Sequence, residues 1–87
     1  MLHETMTSLP VAEVLTRAKA FFAERVPSSA AFPEREGASF VTLRGQGGEE
    51  IAVAATEAPG GTRVRASTLF FDQVVARFLT TLPEAAA

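Results

Sequence analysis

The sequence predicts an α+β fold in which a small antiparallel sheet is covered on one face by two helices. Two segments repeat apolar residues at helical spacing, and three segments between them alternate apolar and polar residues. Both helices need an apolar surface, and an antiparallel meander offers one, so the simplest arrangement is a two-layer sandwich. The predicted order is (β)-α-β-β-β-α, with three to four strands in a single domain spanning residues 1–87.

The N-terminal part contains one ambiguous element and one clear helix. Residues 2–7 alternate only weakly, so a strand and an irregular segment both remain open there. Residues 11–26 carry apolar side chains at steps of three and four, which predicts an amphipathic helix that ends at Pro27. Residues 27–37 contain two prolines, two serines and a glycine, which predicts a loop whose Phe32 folds back onto the core.

Three clear strands occupy residues 39–44, 50–57 and 62–69, separated by turns at 45–48 and 59–61. The third strand alternates most regularly, with valine, alanine and threonine on one side and two arginines and a serine on the other. This pattern is typical of a strand with one buried face and one wet face.

The last helix is predicted over residues 71–82. Its apolar residues stand at i, i+3, i+4, i+7, i+8 and i+11, which places them in one stripe along the helix. Pro83 stops it, because a proline cannot continue the helical hydrogen bonding.

Composition argues against an enzyme. The chain has no Cys, Tyr or Trp and only one His, one Asp and one Lys, and these residue types supply most nucleophiles, acid–base groups and metal ligands. We therefore expect no catalytic residues, no metal and no cofactor. A net charge of −2 argues against nucleic-acid binding, and no stretch is long enough for a membrane span. The absence of cysteine is compatible with the expected cytoplasmic location.

Two pairs of adjacent phenylalanines, at residues 21–22 and 70–71, are the strongest candidates for contact with a partner or ligand. Adjacent helical residues point about 100° apart, so one member of each pair can line an interface or a cavity while the other packs in the core. Core packing, a dimer interface and a ligand cavity all remain open. The candidate ligand or interface residues are Phe22, Phe71, Val75, Phe78 and Leu82.

A second candidate is an anion-binding patch on the outer face of the sheet. Arg44, Arg63 and Arg65 form it if the strand register places all three on that face. Glu50 and Glu57 occupy neighbouring strand positions and are expected to neutralise the arginines by cross-strand pairing.

Both ends of the chain resemble the START-like helix-grip superfamily, which includes polyketide cyclases and lipid-transfer proteins. Residues 4–22, interpreted as a strand followed by a proline-led helix, look like its opening, and residues 60–82, a strand running into a closing helix, are similar to its end. The resemblance implies an apolar ligand held between a curved antiparallel sheet and the C-terminal helix. It places that ligand near Phe71, Val75, Phe78 and Leu82. Full members of the superfamily have more strands.

Together these observations predict a small, non-enzymatic interaction module. It is expected to form a homodimer or another homo-oligomer, or to join a larger assembly, because the helices carry more large apolar side chains than a thin sheet covers. The alternative is a binder of an apolar small molecule between the sheet and the C-terminal helix.

Overall fold

The computed structural model describes residues 2–25 and 30–85 of the chain. Within them the order is one strand, a helical segment, four strands and a second helix, which is an α+β fold as predicted. A π-helical turn, Phe21–Arg25, extends the first helix. The elements are β1 (Leu2–Thr7), α1 (Val11–Ala20), β2 (Ala31–Glu36), β3 (Phe40–Gly45), β4 (Glu50–Ala58), β5 (Gly61–Thr68) and α2 (Asp72–Thr80).

The sheet has five strands in the order β1-β5-β4-β3-β2, and all neighbouring strands are antiparallel. β1 confirms the strand that the sequence left open at residues 2–7, and it pairs with β5, far away in the sequence. β1 and β2 lie on opposite edges, and α1 between them packs across β3 and β4. The predicted count of three to four strands is therefore too low.

The additional strand is β2, which lies in the segment predicted to be a loop. Pro33 is tolerated because β2 is an edge strand, and the register with β3 shifts between Pro33 and Arg35 as in a β-bulge. Phe32 does not fold back onto the core as expected. It lies opposite Arg44 on the outer face and is 52% exposed, while Ala31 takes the buried position.

Both helices lie on the same face of the sheet, as predicted, and share one apolar core. Phe22 at the end of the first helical segment and Phe78 of α2 are fully buried, with ring centroids 5.3 Å apart. The π-helical turn explains how the adjacent Phe21 and Phe22 both reach this core. A π turn holds more residues than an α turn, so successive side chains diverge by a smaller angle.

The helix ends differ slightly from those predicted. α1 passes into the π-helical turn instead of continuing as a regular α-helix, and Pro27, which was expected to end it, lies outside the described residues. α2 is shorter than the predicted range 71–82. Leu82 is nevertheless buried in the core, just beyond the end of the helix.

β4 and β5 divide their side chains between the two faces as their alternation predicted. Ile51, Val53 and Ala55 are buried under the helices, whereas Ala52 and Ala54 between them point to the opposite face. β5 likewise buries its apolar residues and exposes its arginines. The opposite face is therefore built from the residues that the core does not use.

Candidate interaction surface

The face of the sheet opposite the helices has small and apolar side chains at its centre. The cross-strand register sets them in two neighbouring rows that run from β3 to β1. One row is Thr42, Ala52, Ser67 and Leu2, and the next is Phe40, Ala54, Arg65 and Glu4. Exposed sheet faces usually carry longer polar side chains, so short residues here leave a shallow depression between larger ones.

This depression continues to one end of the sheet. A cleft of about 220 Å³ lies between Leu2 and Phe40, and a second cleft of about 470 Å³ reaches from Leu2 to Leu69 and Phe70. Leu69 is 81% exposed and Phe70 is 73% exposed. We call this continuous surface the open-face trough, and its residues are Leu2, Phe40, Ala52, Ala54, Ser67, Leu69 and Phe70.

The turn between β5 and α2 holds Leu69 and Phe70, which are the most exposed large apolar side chains among the described residues. The hydroxyl oxygen of Thr68 accepts hydrogen bonds from the backbone N–H groups of Phe70, at 3.4 Å, and Phe71, at 3.2 Å. Phe71 then packs partly against the core, where α2 begins. The turn that exposes Leu69 and Phe70 to solvent is therefore held by two hydrogen bonds to the Thr68 side chain.

The three arginines of the predicted anion patch all point to the outer face but do not gather in one place. Arg44 and Arg65 lie two strands and four residues apart, which corresponds to about 16 Å between their Cα atoms. Arg65 Nε lies 3.1 Å from Glu4 Oε2. Arg63 forms no ion pair within residues 2–25 and 30–85.

Arg44 is the centre of a separate ionic cluster. Its guanidinium donates hydrogen bonds to both carboxylate oxygens of Glu34, and the bond from Nη2 to Oε1 is 2.9 Å long. The same Nη2 lies 3.3 Å from Oε2 of Glu50. The hydrogen bond from Arg44 lowers the pKa of Glu34 below its usual value. Glu50 therefore neutralises an arginine as expected, while Glu57 lies opposite Thr62 instead. The sequence did not indicate Glu34, because β2 was not predicted.

The predicted ligand residues lie mainly in the core. Phe22, Val75 and Phe78 are fully buried, Leu82 is nearly so, and Phe71 is half-buried. The exposed member of the second phenylalanine pair is Phe70, which sequence reasoning did not select. The signal that identifies Phe70 is its position in the three-residue connection between β5 and α2, outside the apolar stripe of α2.

A histidine–aspartate pair, whose residue types occur together in many catalytic sites, joins β1 to α2. His3 Nε2 lies 2.9 Å from Asp72 Oδ1, and this hydrogen bond lowers the pKa of the Asp72 carboxyl. Within the described residues no three acidic, histidine or cysteine side chains are arranged to hold a metal ion. The helices of this part of the chain are also too short and too polar to cross a membrane.

Comparison of the chain with protein-family models, with curated proteins and with solved structures found no match. The resemblance to the START-like helix-grip superfamily therefore stays a prediction, and the geometry of the open-face trough carries the functional argument.

Proposed function

We propose that this protein is a non-enzymatic interaction module that forms a homodimer through the open-face trough. The observation that carries the proposal is the pair Leu69 and Phe70, two adjacent large apolar side chains that are mostly exposed and lie beside the small and apolar residues of the open-face trough. Contiguous exposed apolar surface of this kind marks interaction sites on soluble proteins.

The energetics favour covering this surface. Removing a leucine or phenylalanine side chain from water contributes about 1.5–3 kcal/mol. A chain of 87 residues is expected to be stable by only about 4–13 kcal/mol, so Leu69 and Phe70 together represent a large fraction of that margin. Burial of both in an interface is therefore a substantial driving force for association.

A second copy of the chain is a suitable partner in both charge and size. On the outer face Arg44 is paired with Glu34 and Glu50, and Arg65 with Glu4, so two such faces do not repel each other strongly. From strand spacing and length, the face covers on the order of 500 Å² per copy. Two copies would bury about 1,000 Å², the lower limit for a specific interface, so we expect reversible association at micromolar concentrations.

The small-molecule alternative has less support. A ligand held beneath the last helix would need the space that Phe22, Val75 and Phe78 already fill, and these side chains are fully buried. The clefts that lie along the open-face trough are open to solvent and belong to the outer face of the sheet.

Sedimentation equilibrium over a range of concentrations tests the proposal. The wild-type chain is expected to pass from its monomer mass of 9.2 kDa to twice that value as concentration rises. The double variant Leu69→Ser/Phe70→Ser is expected to remain monomeric, with the melting temperature that the wild type has at concentrations where it is monomeric, because both side chains are exposed in the monomer. A wild-type chain that is strictly monomeric at high micromolar concentration contradicts the proposal.

Phe32→Ser is the matched control. Phe32 is also an exposed phenylalanine on the outer face, but it lies on the edge strand β2, outside the open-face trough. We expect this variant to dimerise nearly as well as the wild type. Equal loss of association in both variants would mean that the trough is not the centre of the interface.

A further inference from the structure

The two edges of the sheet differ in how they discourage pairing with another strand. The β2 edge contains Pro33, an irregular register and three consecutive charged residues, Glu34, Arg35 and Glu36. These are the features with which proteins protect an exposed edge. β1 contains no proline and no irregularity in register, since it pairs with β5 over six consecutive positions. Its one acidic or basic side chain of the Asp, Glu, Lys and Arg types is Glu4. Within residues 2–25 and 30–85, the β1 edge is thus regular, and its Leu2–Met6 part has no strand beside it on the outer side.

The chain itself forms one isolated backbone bridge at the end of this edge. Thr7 forms an antiparallel bridge with Glu84, and the Ser8 N–H donates to the carbonyl oxygen of Pro83 at 3.3 Å. The Thr7 hydroxyl donates to the same oxygen at 2.5 Å. Backbone groups two residues apart share an edge, so the N–H of Glu4 points the same way as that of Ser8. Within the described residues no backbone group pairs with Glu4 on that side.

A groove runs beside the unpaired part of the edge. It has a volume of about 370 Å³ and lies between His3 and Thr5 of β1 on one side and Ala76, Leu79 and Thr80 of α2 on the other. A strand added to β1 lies about 4.8 Å from it, with alternate side chains directed toward α2. Leu79 and Ala76 offer those side chains an apolar wall.

The charge at the end of the groove favours a basic partner. Glu84 lines the groove and is exposed, and it forms no ion pair with any described residue. His3, which faces the groove from β1, is bound to Asp72. We propose that β1 and α2 bind an extended segment of another protein by antiparallel strand addition, with apolar side chains alternating over Leu79 and a lysine or arginine beside Glu84.

This site differs from the open-face trough and requires no dimer. It can be tested by selecting phage-displayed random heptapeptides on the folded protein and measuring the binding of the selected peptides by fluorescence anisotropy. We expect selected sequences in which β-branched or apolar residues alternate with polar ones, with lysine or arginine near one end. Failure to select any peptide, or selection of proline-rich or acidic sequences, overturns the proposal.

Two substitutions at one position separate strand addition from other modes of binding. Glu4→Pro removes the N–H that the added strand needs, whereas Glu4→Ala keeps that N–H and removes only the carboxylate and its ion pair with Arg65. We expect Glu4→Pro to weaken peptide binding by about tenfold or more and Glu4→Ala to change it little. Far-UV circular dichroism checks that both variants are folded.

The variant Glu84→Lys provides a second readout that does not depend on the backbone of β1. It is expected to weaken basic peptides severalfold and to reduce the salt dependence of their binding. Equal binding of the selected peptides to Glu4→Pro and Glu4→Ala contradicts the proposal. Loss of the dimer in Glu4→Pro also contradicts it, because that result would mean that the β1 edge pairs with a second copy of the chain. Peptide binding retained by Leu69→Ser/Phe70→Ser distinguishes this site from the open-face trough.

Discussion

The two faces of the sheet use alternate residues of the same strands, yet both described helices cover the same face. On β4, Ala55 is 1% exposed beneath the helices, while its neighbour Ala54 lies in the open-face trough beside Phe40. The covered face forms a continuous core. The other face has small residues such as Ala52 and Ala54 at its centre, and no helix of the described residues packs on it. Alternation in a strand therefore assigns side chains to two faces. The composition of the second face then indicates whether that face is exposed to solvent or binds a partner.

The largest expected effect comes from placing the same charge on each face in turn. Ala55→Asp puts a carboxylate into the core without a partner, and we expect the chain to lose its cooperative fold. Ala54→Asp puts it into the open-face trough, so the chain should fold normally and fail to dimerise. Circular dichroism melts and sedimentation equilibrium measure the two results. Equal destabilisation by both would contradict the difference between the faces.

Truncation of an aromatic ring on each face should give a smaller but still clear contrast. Phe78→Ala removes a fully buried ring that contacts Phe21 and Phe22, and we expect it to lower the free energy of unfolding by about 3–5 kcal/mol. Phe70→Ala on the exposed turn should change it by less than about 0.5 kcal/mol in the monomer. Urea unfolding at low protein concentration makes the comparison. A shift of only a degree or two in the melting temperature of Phe78→Ala would mean that α2 is not packed as described.

Periodicity alone predicted most of the covered face. The apolar stripe of the last helix and the alternation in residues 50–57 and 62–69 identified which side chains the core would bury, and both helices share one face as expected. β2 could not be predicted in the same way, because Pro33 and a bulge interrupt its pattern. A proline that excludes a central strand is compatible with an edge strand, and the sequence does not show which strands form the edges.

The outer face was harder to predict, since it depends on register across distant strands. Pairing of β1 with β5 brings Leu2 beside Ser67 and places Glu4 next to Arg65, and neither contact is visible in the sequence. The phenylalanine pair at residues 70–71 led to the hypothesis of a contact surface, and the structure shows that Phe70 is the exposed member of the pair. The local sequence thus identified one end of the open-face trough, at residues 70–71. The other residues of the trough are brought together only by the strand order and register of the sheet.

The most direct test of the account is methyl NMR of alanine-labelled protein as its concentration is raised. Ala52 and Ala54 on β4 point to the open-face trough, while Ala55 on the same strand and Ala66 on the neighbouring β5 are buried under the helices. The account predicts concentration-dependent shifts for the methyl groups of Ala52 and Ala54 and nearly constant shifts for the buried pair. Spectra that do not change with concentration, or changes confined to alanines on the outer surfaces of the helices, would contradict it.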